Sequence, residues 1–337
     1  MPDRVTLHDP YDKAATPAVT HDTLSVGDWQ GPTYYRRPQL KAAPFGNWVV
    51  GGYIFCAGLA GASALISTIA GFGRSPQEAG LTRRGRYLAL LGPLSAALLI
   101  YDLHTPKRFY NMLRIAKRTS PMSIGTWILM SFSSFACLSA AAQFLSDHVP
   151  GLRWMRRAAR VTDVPAAVAG AGLSTYTASL LSATSTPLWA AAPRSLAVRF
   201  GASSVAAGAA SLSMGEPSGA TRSKLDAVTV AALAAELAAT LASHESYRRK
   251  GVAEALDGGW GQVEKLGVTA LGTVLPLGLQ IASSVVARRK PGILSDVASV
   301  AVLAGSLLLR VSILAAGDSS AERPGISFRF SQPDNLP

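Results

Sequence analysis

Five side chains put polar or ionisable groups inside, or at the edge of, long apolar runs. Asp102 and His104 follow the run Tyr87–Ile100 with a carboxylate and an imidazole two positions apart. Such groups can take protons from a reduced ligand and hand them to water. Tyr176 lies in an apolar stretch among Ser174, Thr175, Thr177 and Ser179. A phenol with flanking hydroxyls suits a hydrogen bond between helices, and equally suits donation to the carbonyl oxygens of a quinone headgroup in an apolar slot open to lipid. Glu236 and Arg310 sit well inside apolar runs, where an ionised group costs about 2.5–3.5 kcal/mol even on lenient scales. Three readings of Glu236 stay open: a pair with Arg310, a neutral carboxyl bonded to a neighbouring helix, or a member of a proton path.

Metal chemistry finds no ligands of its own here. The two cysteines, Cys56 and Cys137, lie in separate apolar runs without C-x-x-C spacing, which excludes a disulfide framework and a protein-held cluster. The histidines, His8, His21, His104, His148 and His244, all avoid the middle of an apolar run. A membrane haem needs histidines from neighbouring helices at membrane depth, so no haem is expected.

The elements that must carry these residues follow from composition. Of 337 residues 49% are hydrophobic and only 15% charged, outside the usual range for soluble chains. Apolar windows near the length that crosses a bilayer, about 20 residues, recur along the chain. The expectation is an all-α, polytopic integral membrane protein, a bundle of eight transmembrane helices at 48–72, 87–103, 124–145, 164–181, 196–214, 227–243, 266–286 and 294–316. Residues 47–316 form the transmembrane domain, between a polar N-terminal tail, 1–46, and a polar C-terminal tail, 317–337. Glycines and alanines crowd several spans, among them Gly58, Gly61, Gly170 and Gly208. In lipid, small residues allow the close backbone approach that holds a bundle together.

Residues 1–46 carry five acidic and five basic side chains and no early apolar run, so they read as no cleaved secretory signal. The run Tyr35-Arg36-Arg37-Pro38 resembles an export signal only loosely, because the apolar stretch after it is too long and no A-x-A site follows. The net charge of +12 comes from short basic clusters at span ends, such as Arg83-Arg84-Gly85-Arg86 and Arg248-Arg249-Lys250. Anchoring at lipid headgroups accounts for them better than nucleic acid does.

An even number of spans puts both tails on one side, face A, with the connections 104–123, 182–195 and 244–265. Every unusual polar motif falls there. The most distinctive connection runs from Tyr101 to Trp127, dense in charge, aromatics and proline. It suits an interfacial loop anchored by Tyr and Trp, and equally the docking of a partner or a membrane-dissolved ligand. Lys and Arg divide almost evenly between the two faces, so charge does not orient the chain.

Several motifs in order resemble those of the NrfD-like family, the membrane subunits of polysulfide reductase and related molybdenum-enzyme complexes. They are Thr33-Tyr34-Tyr35-x-Arg37-Pro38-x-Leu40-Lys41, Gly58-Leu59-Ala60-Gly61-Ala62-Ser63-Ala64 and Asp102-Leu103-x-x-Pro106-x-Arg108-Phe109-x-Asn111-Met112-Leu113. Next come Ser120-Pro121-Met122-Ser123-x-Gly125-x-Trp127, Tyr176-Thr177, Ala183-Thr184-Ser185-x-Pro187-x-Trp189, and Arg310 with Gly317, Ser320 and Pro324. The resemblance covers about residues 32–325.

It implies an eight-helix anchor without a metal of its own, in the cytoplasmic (inner) membrane of a prokaryote. It also implies docking to an iron–sulfur subunit like a four-cluster ferredoxin, a molybdopterin catalytic subunit beyond it, and electron exchange with menaquinone or ubiquinone. By this analogy Tyr176 is the first candidate for quinone contact, with Asp102, His104 and Arg310 as polar partners. Glu236 and Asp102 are the proton-path candidates, and Tyr34, Tyr35, Lys107, Arg108, Phe109 and Trp189 the docking candidates. Where family members carry a histidine near the first span, this chain reads Phe45-Gly46-Asn47-Trp48, and Asn47 is the candidate substitute. Two other functions compete: a purely structural anchor without quinone chemistry, and a proton or solute transporter built on Glu236 and Arg310. A transporter would show inverted repeats, and no internal repeat stands out.

Overall fold

The computed structural model describes residues 40–44, 46–73, 76–103, 105–286 and 293–332, and every regular element among them is helical. His104, Tyr34 and Tyr35 fall outside the described residues. The helices are α1 (Asn47–Gly71), α2 (Pro76–Leu88), α3 (Leu91–Tyr101), α4 (Pro121–His148), α5 (Met155–Ser182) and α6 (Pro187–Ala191). They continue with α7 (Pro193–Met214), α8 (Gly219–Arg249), α9 (Gly259–Gln262), α10 (Leu275–Val286), α11 (Ile293–Glu322) and α12 (Pro324–Phe330). A 3₁₀ helix spans Pro106–Leu113, and a π-helical stretch, Val263–Val274, joins α9 to α10.

Six helical segments are long and apolar enough to cross a membrane: α1, α4, α5, α8, the composite Gly259–Ser283 and α11. The chain is therefore an all-α integral membrane protein. The other two expected spans differ from a plain apolar helix, each for a physical reason. The span expected at 87–103 is divided, because Pro93 has no N–H and its ring opposes the carbonyl of Ala89, four residues back. The helix stops at Leu88 and restarts at Leu91, which puts Pro93 in a first turn where a missing donor goes unnoticed. The span expected at 196–214 is α7, of 22 residues. It packs on α1, α5, α8 and α11, so its serines and Arg199 meet protein rather than lipid and its hydropathy stays modest.

Helix α1 sits at the centre, against α3, α5, α7 and α11. Small residues permit this: a Cβ at Gly61 would overlap the Gly170 carbonyl oxygen on α5, and the reverse also holds. Around α1 the elements form two groups, α2 to α5 on one side and α7, α8, the 259–286 composite and α11 on the other. At the end of the bundle opposite face A, Arg86 on α2 donates to the Asp163 carboxylate on α5 at 3.0 Å and 2.6 Å, and also to Gln143 on α4. Arg84 pairs with Glu216 and Arg83 with Asp147. Arg86 departs from the headgroup anchoring expected for this cluster, being 6% exposed with its partners inside the bundle, whereas the Arg83 side chain is 52% exposed.

Candidate functional site

At the face A end of the first group, α1, α3, α4 and α5 enclose an apolar cavity of about 380 Å³, toward the lower end of ligand pockets, about 300–1,000 Å³. Each helix contributes residues at helical spacing: Val50, Tyr53 and Ile54 from α1; Ala96, Leu99 and Ile100 from α3; Gly125, Leu129 and Ser133 from α4; Tyr176, Thr177 and Leu180 from α5. Pro44, Asp102 and residues of the 3₁₀ helix, including Phe109, close it from above. Met122, Met130 and Phe109 line it while 51%, 38% and 40% exposed, so the cavity reaches the molecular surface beside α4.

The polar groups in this apolar wall are few. Tyr176 Oη donates to the Pro121 carbonyl at 2.7 Å, and Gly125 makes room for the ring, because a Cβ there would fall within it. The hydroxyls of Thr177 and Ser133 are buried without a hydrogen-bond partner. Buried polar atoms are rarely left unpaired, and these two line the cavity, where a ligand's carbonyl oxygens or a water would satisfy them. Tyr53, 5% exposed, brings a second phenol to the lining.

A strap of extended chain crosses the top. The Asp102 carboxylate, at the C-cap of α3, accepts from the Gly46 N–H at 3.2 Å, and the Asp318 carboxylate of α11 accepts from the Ala43 N–H at 3.3 Å. Asn47 lies next to Asp318, with its side-chain carbonyl oxygen buried and unpaired. Two carboxylates, one from each group of helices, thus hold Ala43 and Gly46 at the mouth of the cavity.

The structure brings Tyr176, Asp102 and Phe109 to one cavity, with Asn47 one residue beyond the strap. Arg310 is absent from the lining. It is 1% exposed between α7 and α11, donating to the hydroxyls of Ser203 (2.8 Å), Ser204 (2.9 Å) and Ser306 (2.6 Å) and the carbonyls of Phe200 and Ser306. Glu236 shares the Ser203 neighbourhood and accepts from Thr273 at 3.3 Å; Arg310 attracts its carboxylate through space, without a hydrogen bond between the two. Lys107 and Arg108 are exposed on the 3₁₀ helix. Trp189 is 1% exposed, its indole N–H donating to the Ile313 carbonyl at 2.8 Å, so it presents no surface to a partner.

Sequence reasoning missed a second polar centre. Arg199 of α7, fully buried, pairs with Glu264 of the π-helical stretch, and the His244 ring lies 3.3 Å from the same carboxylate. Arg199 lies inside an expected span and obeys the signal that singled out Glu236 and Arg310. Glu264 lay two residues before an expected span, where no such signal operates. Tyr53 gave no signal, since an aromatic in an apolar helix is ordinary.

Among the described residues, no group of three or more His, Cys, Asp or Glu side chains could hold a metal ion. Comparison with curated proteins gives no match. The polysulphide reductase family, NrfD, matches residues 39–320, from the strap to the last turn of α11, so every cavity residue lies within the match. The chain is an integral membrane protein that belongs to the NrfD family.

Proposed function

We propose that this chain is the quinone-reactive membrane anchor of a multi-subunit oxidoreductase of the molybdenum-enzyme type, in the cytoplasmic membrane of a prokaryote. NrfD proteins are membrane subunits of quinone-interacting oxidoreductase complexes. The observation that carries the reading is the meeting of Tyr176, the unpaired hydroxyls of Thr177 and Ser133, and the Asp102 carboxylate in one apolar cavity that reaches the surface beside α4. A quinone, menaquinone or ubiquinone, supplies two-electron, two-proton chemistry when bound. The chain's part is to bind, orient and exchange protons.

The apolar faces of α1, α3 and α4 hold the headgroup, and Tyr176 and Thr177 donate to its carbonyl oxygens. Asp102, at the edge of the cavity, holds or releases the proton toward face A. His104 would extend that exit toward water. Lys107, Arg108 and Phe109, exposed on the 3₁₀ helix directly above, present charge and an aromatic edge to an iron–sulfur subunit, and Tyr34 and Tyr35 of the tail are further docking candidates. Glu236 serves a proton route in the second group of helices, near Arg199 and Arg310. The molybdopterin subunit lies beyond the iron–sulfur partner and carries the substrate chemistry.

The test is Tyr176→Phe in the assembled complex. Quinone-coupled turnover falls while subunit assembly and partner-only dye reduction persist. Turnover equal to that of the unaltered complex overturns the site, and leaves the purely structural anchor as the better reading.

A further inference from the structure

A second recess lies on the opposite face of α4. Helical spacing divides that helix: Gly125, Leu129 and Ser133 face the cavity, whereas Ile124, Trp127, Ile128 and Ser131 face a groove of about 730 Å³ between α4 and α5. The far wall is Val164, Pro165, Val168 and Ala169 of α5. These helices run antiparallel, and Val164 lies 18 residues from the face A end of α5 at Ser182, about 27 Å along its axis. With a hydrocarbon core about 30 Å thick, the groove runs from the headgroup level to well below the bilayer surface. Only a chain-like molecule fills such a shape.

Its upper end is different in kind. Lys117 and Arg118 line the mouth, and no Asp or Glu occurs between Asp102 and Asp147 in the sequence. Among the described residues neither cation lies within ion-pair distance of a carboxylate. Their loop is fastened to the first turns of α4: Ser123 Oγ accepts from the Lys117 N–H at 2.9 Å and donates to the Ile115 carbonyl at 2.9 Å, and the Trp127 indole N–H donates to that same carbonyl at 3.4 Å. Two cations without a carboxylate partner among the described residues are thus held over an apolar, lipid-facing slot. We infer that this groove is a binding site for one anionic phospholipid, with its headgroup phosphate on Lys117 and Arg118 and an acyl chain laid between α4 and α5 against Trp127 and Val168. Basic recesses between membrane helices have this chemistry, and charge complementarity selects an anionic over a zwitterionic lipid.

The experiment exchanges lipid on the purified full-length chain in mixed micelles of equal phosphatidylglycerol and phosphatidylcholine, and weighs the retained adducts by native mass spectrometry. Phosphatidylglycerol is expected to be retained several-fold over phosphatidylcholine. Lys117→Gln with Arg118→Gln brings that ratio to about one, while Lys107→Gln with Arg108→Gln, on the neighbouring 3₁₀ helix, leaves it unchanged. Val168→Trp, which fills the groove from an exposed position, removes both adducts without touching the charges. Equal retention of the two lipids by the unaltered chain overturns the site, as does a preference that survives loss of Lys117 and Arg118. A quinone adduct in place of phospholipid, removed by Val168→Trp, also overturns it. None of these readouts depends on the quinone cavity, so failure here and failure of the proposed function are separately visible.

Discussion

At the scale of single residues, the Tyr176 hydroxyl is the group whose removal says most. It donates to a neutral carbonyl, and a neutral hydrogen bond of this kind is worth about 0.5–1.5 kcal/mol. If the same proton is offered to a quinone carbonyl, Tyr176→Phe weakens quinone binding about two- to twelve-fold, measured by titrating quinone into the delipidated chain. Gly125→Ala reaches the same end by steric means, since its Cβ occupies the phenol's place. The two losses therefore overlap, and the double variant is no weaker than the worse single one. Additive losses would mean that Gly125 acts elsewhere. Arg86 yields a stability prediction. Its pair with Asp163 is buried, and leaving one partner alone costs about 3–5 kcal/mol, so Arg86→Met lowers the thermal midpoint in detergent, while Arg86→Met with Asp163→Leu recovers most of it. Tyr176, Asp102, Glu236 and Arg310 were legible in the sequence because each breaks an apolar pattern. Arg86 was not, because a cluster of arginines at a span end reads as headgroup anchoring, and its carboxylate lies 77 residues away.

At the scale of elements, the strap and the divided second span matter most. Asp102 reaches the cavity only because Pro93 shortens α3 to 11 residues, so that its C-cap meets the incoming chain at Gly46. Holding the strap and exchanging a proton are then two jobs of one carboxylate, and substitutions separate them. Asp102→Asn retains an oxygen that accepts from the Gly46 N–H but removes the carboxylate that would exchange a proton. It is expected to preserve quinone affinity while slowing turnover. Asp102→Ala loses both, with the strap freed to proteolysis near residue 46. Equal behaviour of the two variants in affinity and cleavage would remove the strap from the account. Hydropathy located the long elements well, since α1, α4 and α11 each carry a long, predominantly apolar window. It failed where protein replaces lipid around a helix, as at α7, and where proline redirects the backbone. The π-helical stretch is a further case: it ends at Val274, two residues before Pro276, which cannot offer an N–H to the Gly272 carbonyl. The proline was visible in the sequence, but the shift in register was not.

At the scale of the whole molecule, the two groups of helices around α1 divide the polar chemistry. The first holds the cavity with Tyr176 and Asp102, and the second holds Arg199, Glu236, Glu264 and Arg310 beneath His244. These buried charges lie within electrostatic reach of one another, each with its own hydrogen-bond partners. Arg310 donates to hydroxyls and carbonyls and Arg199 to Glu264, although each guanidinium keeps a buried N–H without a partner among the described residues, while Glu236 accepts from neutral hydroxyls. Ionisable groups at this depth are rarely retained without function, and that division makes the proton route separable from quinone binding. Glu236→Gln keeps the hydrogen-bond acceptor toward Thr273 while removing the exchangeable proton, so the bundle should assemble normally. In vesicles carrying the complete complex, the expected outcome is unchanged quinone affinity with fewer protons taken up per turnover, whereas Tyr176→Phe lowers turnover and uptake in parallel. Uptake per turnover left intact by Glu236→Gln would assign the second group of helices a packing role alone, with Glu236 a neutral, hydrogen-bonded carboxyl, and would leave Asp102 as the one proton exit of the chain.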